Sequence, residues 1–380
     1  SWSLKAVNQR SARLALYRQR GAILDCHGNL LTGRDHRPYL VIFPALLTAE
    51  EKKVIIPLLA ADHVRMEGDG LCPVTIASPS TELLRFIIEH QVTGATFCTI
   101  PLRYGAKPLA QHLLGYVHPT TGEGLAGLEA RYEVDLTGEG MVKLAVMTDA
   151  LERPIPGLGW RYQEEVGARA GKNLVLTIDL ALQKKVESLL DEAGVTKGAA
   201  ILMEVGTGKI RALASRPVFD PYAPQQSRND PDAPLQNRAL AAYPPGSFFN
   251  IITAGAALES GRFHQDQPLY DAKDGRGLLT LAQAFADGCP AIFREVAYAL
   301  GWDFLLKVAR AYGLGPAGVL GLAGEEMGVL PTQVEAEDFA PLVAGKQGIT
   351  VTPLQIASVL QMIAGNGYYY PPAIVEGLEP

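Results

Sequence analysis

Apolar positions along this chain change period part-way through. Between residues 35 and 110, a short apolar run, Tyr39-Leu40-Val41-Ile42-Phe43, alternates with stretches of helical spacing, Thr48–Ala61 and Ser80–His90. Short continuous apolar runs predict buried strands, and apolar residues three and four apart predict helices. The composition shifts near Gly167–Lys172, and Thr148–Glu165, which carries Pro154 and Pro156, predicts an extended connector. Beyond it, Leu174–Asp179 reads as a strand and Ala181 to about Ala193 as a helix. Gly198–Val205 and Lys209–Ala214 flank Gly206-Thr207-Gly208, the pattern of a β-hairpin with a glycine-containing turn. From Phe248 onward the spacing is helical, over 248–260, 281–300, 302–312 and 353–364. Strands followed by helices predict an α+β arrangement rather than a doubly wound sheet. The hairpin is expected to form a short sheet against the helix that begins at Ser247.

At 380 residues the chain exceeds one ordinary core, which predicts two domains, 1–166 and 167–380, each with its own core. Its 48% hydrophobic and 19% charged residues exclude a disordered chain. A net charge of −6 and the lack of any basic run of five or more argue against a nucleic-acid partner. No uninterrupted apolar stretch approaches the ~18 residues of a membrane span. There is no signal peptide and the first residue is Ser1, so the expectation is either a trimmed extracellular portion or a soluble protein. Any membrane attachment would come from an anchor upstream of Ser1. Cys26, Cys72, Cys98 and Cys289 show no zinc-like spacing. A Cys72–Cys98 disulfide is conceivable, but buried free thiols are the better expectation. No metal and no cofactor are expected.

The candidate chemistry centres on Tyr243-Pro244-Pro245-Gly246-Ser247-Phe248-Phe249-Asn250, ahead of an apolar run to Leu258. Prolines and a serine before such a run mark a helix start, and Gly261 marks its end. Asn250 lies one turn beyond Ser247 on the same side. An asparagine amide does not titrate in the working pH range and cannot serve as a general base. On the residues alone, Ser247 reads better as a helix N-cap than as a nucleophile. Other features have plain readings. Gly206-Thr207-Gly208-Lys209 lacks the full phosphate-loop spacing. His112 and His118 lack metal-site geometry, and Tyr368-Tyr369-Tyr370 before Pro371-Pro372 reads as packing.

Taken in order, a dozen short motifs resemble the class B penicillin-binding proteins over nearly the whole chain. Arg20-Gly21-Ala22-Ile23-Leu24-Asp25-Cys26-His27-Gly28-Asn29-Leu30-Leu31 is similar to that family's Arg-Gly-x-Ile-x-Asp-Arg-Asn-Gly-x-x-Leu segment. Ala110–Val117 with Gly124–Glu129 resembles the end of its non-catalytic pedestal. Leu176-Thr177-Ile178-Asp179 with Leu182-Gln183 resembles the entry to its transpeptidase domain. Thr207–Ile210, Phe219-Asp220-Pro221, Asn237-Arg238-Ala239, Gly324-Glu325, Gly328, Leu330-Pro331 and Thr350–Gln355 complete the series. The resemblance implies an N-terminal, dimerisation-like pedestal followed by a serine transpeptidase/β-lactamase-like domain.

It also implies where the chemistry should sit, and there the chain departs from the pattern. The family's Ser-x-x-Lys reads Ser247-x-x-Asn250. Its Ser-x-Asn falls on Gly288-Cys289-Pro290, so neither a relaying hydroxyl nor a substrate-holding amide is present. Its Lys-Thr-Gly and the strands that follow are expected after Pro380. Lys346 precedes Thr350–Gln355 and is not that motif. The implied catalytic position is therefore Ser247, expected to be inactive. Asn250, Gly288 and Pro290 stand at degenerate substrate-binding positions. The expected function is a catalytically impaired homologue at the extracytoplasmic face of the bacterial membrane, binding peptidoglycan or cell-wall synthesis proteins. The pattern argues against β-lactam binding. The alternative is an active serine D,D-transpeptidase or carboxypeptidase with an unusual base, for which Asp287 is the candidate near in sequence. Septation, elongation and sporulation are all compatible processes.

Overall fold

The computed structural model describes residues 11–62, 72–119, 121–147, 160–164, 169–271, 277–315, 318–335 and 337–380. It is an α+β fold. In the N-terminal half, β1 (Ser11–Arg20) pairs antiparallel with β6 (Thr137–Met147), which carries β7 (Trp160–Gln163) on its other edge. A second sheet places β3 (Asp35–Ile42) between β4 (Val74–Ile76) and β5 (Ala95–Leu102). Helices α1 (Ala49–Ala61) and α2 (Thr81–Glu89) pack on it through Ile55, Leu59, Leu83 and Ile87. Both start where the sequence placed them, because Thr48 and Ser80 accept the N3 backbone N–H. The connector expected around Pro154 and Pro156 lies outside the described residues, apart from β7, which is a strand at its far end.

Past residue 170, β8 (Asn173–Leu176) leads into α3 (Leu180–Glu192), capped by Asp179. The hairpin β9 (Gly198–Met203) and β10 (Ile210–Arg216) follows in antiparallel register. It packs on α3 and on the late helix α9 (Pro353–Ala364), and not chiefly on the helix after Ser247 as the sequence suggested. The helical lobe comprises α4 (Phe249–Glu259), α5 (Leu281–Ala286), α6 (Pro290–Leu300), α7 (Trp302–Ala311), α8 (Phe339–Val343) and α9. The stretch 281–300 is thus two helices, divided by a turn at Gly288. A small hairpin, β11 (Pro268–Asp271) and β12 (Gly277–Thr280), precedes α5, and β13 (Val375–Glu379) returns to β8.

The cores do not divide at residue 166. β2 (Ile23–Leu24) runs parallel to β8 in one sheet with β13. One buried cluster joins Ile23, Leu113, Leu128 and Leu136 to Leu174, Ile210, Leu354 and Ile374. A buried ionic knot braces the same junction. Glu129, fully buried, accepts Arg20 Nε at 2.7 Å and Arg103 Nε at 2.6 Å, and Arg103 also donates to the Gly21 carbonyl at 2.7 Å. Arg20-Gly21 and the segment ending at Glu129 are therefore two halves of one contact. Gly124 is needed there, since a Cβ at that position would sit 2.1 Å from the Glu129 carbonyl oxygen.

Candidate active site

Ser247 lies in a 3-10 turn, Gly246–Phe248, that runs directly into α4. Its side chain makes no capping hydrogen bond, which overturns the N-cap reading. The backbone explains why. Pro245 and Phe248 are already helical at the two cap positions, so the hydroxyl is not aimed back at N2 or N3. The serine is exposed, and among the described residues no hydrogen bond engages its hydroxyl. Asn250, one turn on, is buried on the same helix face as Thr253 and Ala257. Phe249 between them is fully buried and stacks near Trp302, with ring centroids 6.3 Å apart, which fixes the helix in the lobe.

The approach to Ser247 is held by a segment distant in sequence. Tyr243 exchanges backbone hydrogen bonds with Val351 at 2.9 and 2.8 Å, and Gly246 N–H donates to the Gly345 carbonyl at 2.9 Å. Gly345 is in the left-handed region at φ +65°, and a Cβ there would stand 2.3 Å from the Gly246 oxygen, so only glycine allows this approach. The contact brings the exposed Lys346, the next residue, onto a loop beside the serine turn. Sequence spacing gave no hint of this neighbour, because it depends on a long-range backbone pairing.

At Gly288-Cys289-Pro290, where the resemblance places the second motif, α5 ends in a Schellman turn. Gly288 N–H donates to Phe285 O at 3.2 Å and Cys289 N–H to Ala284 O at 2.9 Å, with Gly288 at φ +62°. Pro290 then occupies the first turn of α6. Gly288 and Pro290 thus each have a local structural role, as a left-handed cap and a helix starter, and Cys289 between them is a buried anchor. Phe249, Ala284 and Cys289 share one buried cluster, so the serine turn and this junction belong to the same lobe. Asp287 is the exposed C-cap of α5 and makes no hydrogen bond to Ser247. A cleft of about 1390 Å³ opens elsewhere, between β3 and the 218–227 loop, lined by Arg34, Tyr39, Phe219 and Tyr222.

The remaining motif residues form the frame. Glu325 accepts backbone N–H groups from Val319, Leu320 and Gly321 at 2.6, 3.0 and 2.7 Å. Thr352 and Gln355 make a buried capping box that starts α9, and Gln355 Nε2 also donates to Gly315 O at 2.8 Å. None of the four cysteines forms a disulfide. Cys98 and Cys289 are buried as expected, whereas Cys72 is exposed.

Residues 198–380 match the penicillin binding protein transpeptidase domain. The chain is 29% identical to stage V sporulation protein D of Bacillus subtilis, over 99% of this chain and 62% of that protein. It is 33% identical to the peptidoglycan D,D-transpeptidase PbpA of Mycolicibacterium smegmatis, over 55% of this chain and 49% of that one. Among solved structures, a chain of a peptidoglycan synthase complex matches with a TM-score of 0.71 and 26% identity, covering 100% of this chain and 75% of its own. The chain thus spans roughly half to three-fifths of the length of these two curated relatives.

Proposed function

Because the chain belongs to the penicillin-binding protein family, we propose that it is a catalytically impaired transpeptidase homologue at the outer face of the bacterial membrane. Residues 1–166 serve as its pedestal and residues 167–380 as its transpeptidase-like body, the two joined by the buried cluster that spans this boundary. It binds peptidoglycan or cell-wall synthesis proteins rather than cross-linking stem peptides. One observation carries this reading: the position one turn beyond Ser247 holds a buried, non-titrating Asn250. Acylation requires Ser247 Oγ to attack a carbonyl while its proton passes to a base and then to the departing amine. General-base help is worth about 10²–10⁴ in rate. The missing hydroxyl at Gly288 and the missing amide at Pro290 remove further groups, although such losses do not add. The described helices include none long and apolar enough to cross a membrane, so the proposed location rests on the family's substrate.

The test is incubation with a fluorescent penicillin followed by intact-mass spectrometry. The expected result is no covalent adduct, or one formed orders of magnitude more slowly than by a competent relative. A second reading has its own support, since Ser247 is exposed and uncapped and the Lys346 loop lies beside it. Prompt stoichiometric labelling, abolished by Ser247→Ala, would establish an active D,D-transpeptidase instead. Its loss in Lys346→Gln would then place the proton acceptor on that loop.

A further inference from the structure

The segment similar to the family's Arg-Gly-x-Ile-x-Asp-Arg-Asn-Gly carries Cys26-His27 where that pattern has Arg-Asn, and the fold brings these two residues beside Asp179, the N-cap of α3. One donor atom from each of Cys26, His27 and Asp179 lies within 4.8 Å of the other two, and His27 Nε2 stands 3.2 Å from Asp179 Oδ2. The turn that presents them is rigidly braced. Asp25, buried, accepts the His27 and Asn29 backbone N–H groups on Oδ1 at 2.9 and 2.7 Å. Its Oδ2 accepts Leu180 N–H at 3.0 Å, tying the turn to the start of α3. Cys26 N–H donates to Ile178 O at 2.9 Å, so the thiol and Asp179 are held across one backbone contact. Asp179 uses Oδ1 to cap α3 through Ala181 and Leu182, while Oδ2 faces His27 Nε2 and takes no part in the cap.

We propose that Cys26, His27 and Asp179 form a zinc site with a fourth position open to water. The donor set of one sulfur, one imidazole nitrogen and one carboxylate oxygen suits a borderline tetrahedral cation rather than magnesium or calcium. On binding, the thiol releases its proton to solvent, and the thiolate and carboxylate together neutralise the dication. Arg211, the nearby cation, is already paired with Glu204. The ion would pin the turn after β2 to the N-terminus of α3, residues 152 apart in sequence. That separation hides the site from any reading of local spacing.

The experiment is titration of chelator-stripped protein with zinc or cobalt chloride. Binding is expected at one equivalent per chain, with a thiolate-to-cobalt charge-transfer band and a raised melting temperature. Cys26→Ser and His27→Gln should each weaken binding by at least ~100-fold, at or beyond what removing a mere outer partner of a ligand costs. Asp179→Asn should weaken it while keeping the α3 cap, since asparagine also accepts the capping N–H groups. Cys72→Ser, which alters the other accessible thiol, should leave binding unchanged. No stoichiometric binding, or binding and a charge-transfer band that survive Cys26→Ser, overturns the site.

Discussion

Asn250→Lys restores the family's lysine at a position that the fold has closed over. Asn250 is 9% exposed, on the buried face of α4. A buried ammonium with no partner is held neutral, or the fold bears its charge. Each pH unit by which such a lysine's pKa falls costs about 1.4 kcal/mol, and a fall of about two, modest for buried lysines, amounts to about 3 kcal/mol. For a domain of roughly this size that is a drop of about 6–12 °C in melting temperature. The sign of the pH dependence follows. A lysine depressed in the folded state binds fewer protons there than in the unfolded chain, so stability rises with pH. The penalty should be full near neutrality and shrink as the pH approaches about 10. Penicillin acylation should stay near background, because Gly288 and Pro290 still supply no relay. Calorimetry at both pH values and labelling kinetics on the same sample decide it. An unchanged melting temperature at neutral pH, or robust labelling by this single variant, would refute the reasoning, since either outcome requires an open and otherwise intact site at position 250.

Two further outcomes test the frame. Glu129→Gln removes the buried anion that Arg20 and Arg103 share, Arg20 keeping the more exposed Glu133 at 2.7 Å. It should cost about 3 kcal/mol in urea unfolding, and a loss under about 1 kcal/mol would mean that the knot is solvated. Burial lowers the His112 pKa from 6.5 to about 4, and the neutral ring donates from Nε2 to the Pro234 carbonyl at 2.7 Å. The unfolded chain takes up this proton first on acidification, so stability rises with pH between about 4 and 6.5 and falls by about 3 kcal/mol as the pH drops through that window. His112→Gln should flatten the profile there, and an unaltered slope in melting temperature against pH would remove His112 as its source.

What the sequence made legible was local. Thr48 and Ser80 were readable as the starts of helical stretches because a cap is decided by residues three apart, whereas Asp179, read as the end of a strand, is the cap of α3. The 198–216 hairpin was readable because its turn carries the glycines that the geometry demands. The β1–β6 ribbon was not, since its two strands are separated by more than a hundred residues and neither shows a strong alternation alone. The same limit hid the Gly246–Gly345 contact and the closure of Cys26 and His27 onto Asp179. The Ser247 error has a different cause. A serine before a helix is a cap only if its own backbone is extended, and Ser247 lies instead inside the 3-10 turn Gly246–Phe248 that leads into α4.

On the proposed reading, Gly288 and Pro290 are more than side-chain losses, because the local backbone is built around them. Gly288 lies in the left-handed region, where a residue with a Cβ costs about 1–2 kcal/mol, and Pro290 fixes the start of α6. Restoring serine and asparagine there would strain the Schellman turn and loosen the entry to α6 before either side chain could act. The frame residues, Glu129, Glu325 and the Thr352–Gln355 box, discharge their roles entirely inside the fold and depend on no substrate. On the proposed reading, the chain keeps these frame contacts while Gly288-Cys289-Pro290 serves as a helix junction. On that same reading, acylation would require remodelling residues 287–290 as well as exchanging Asn250.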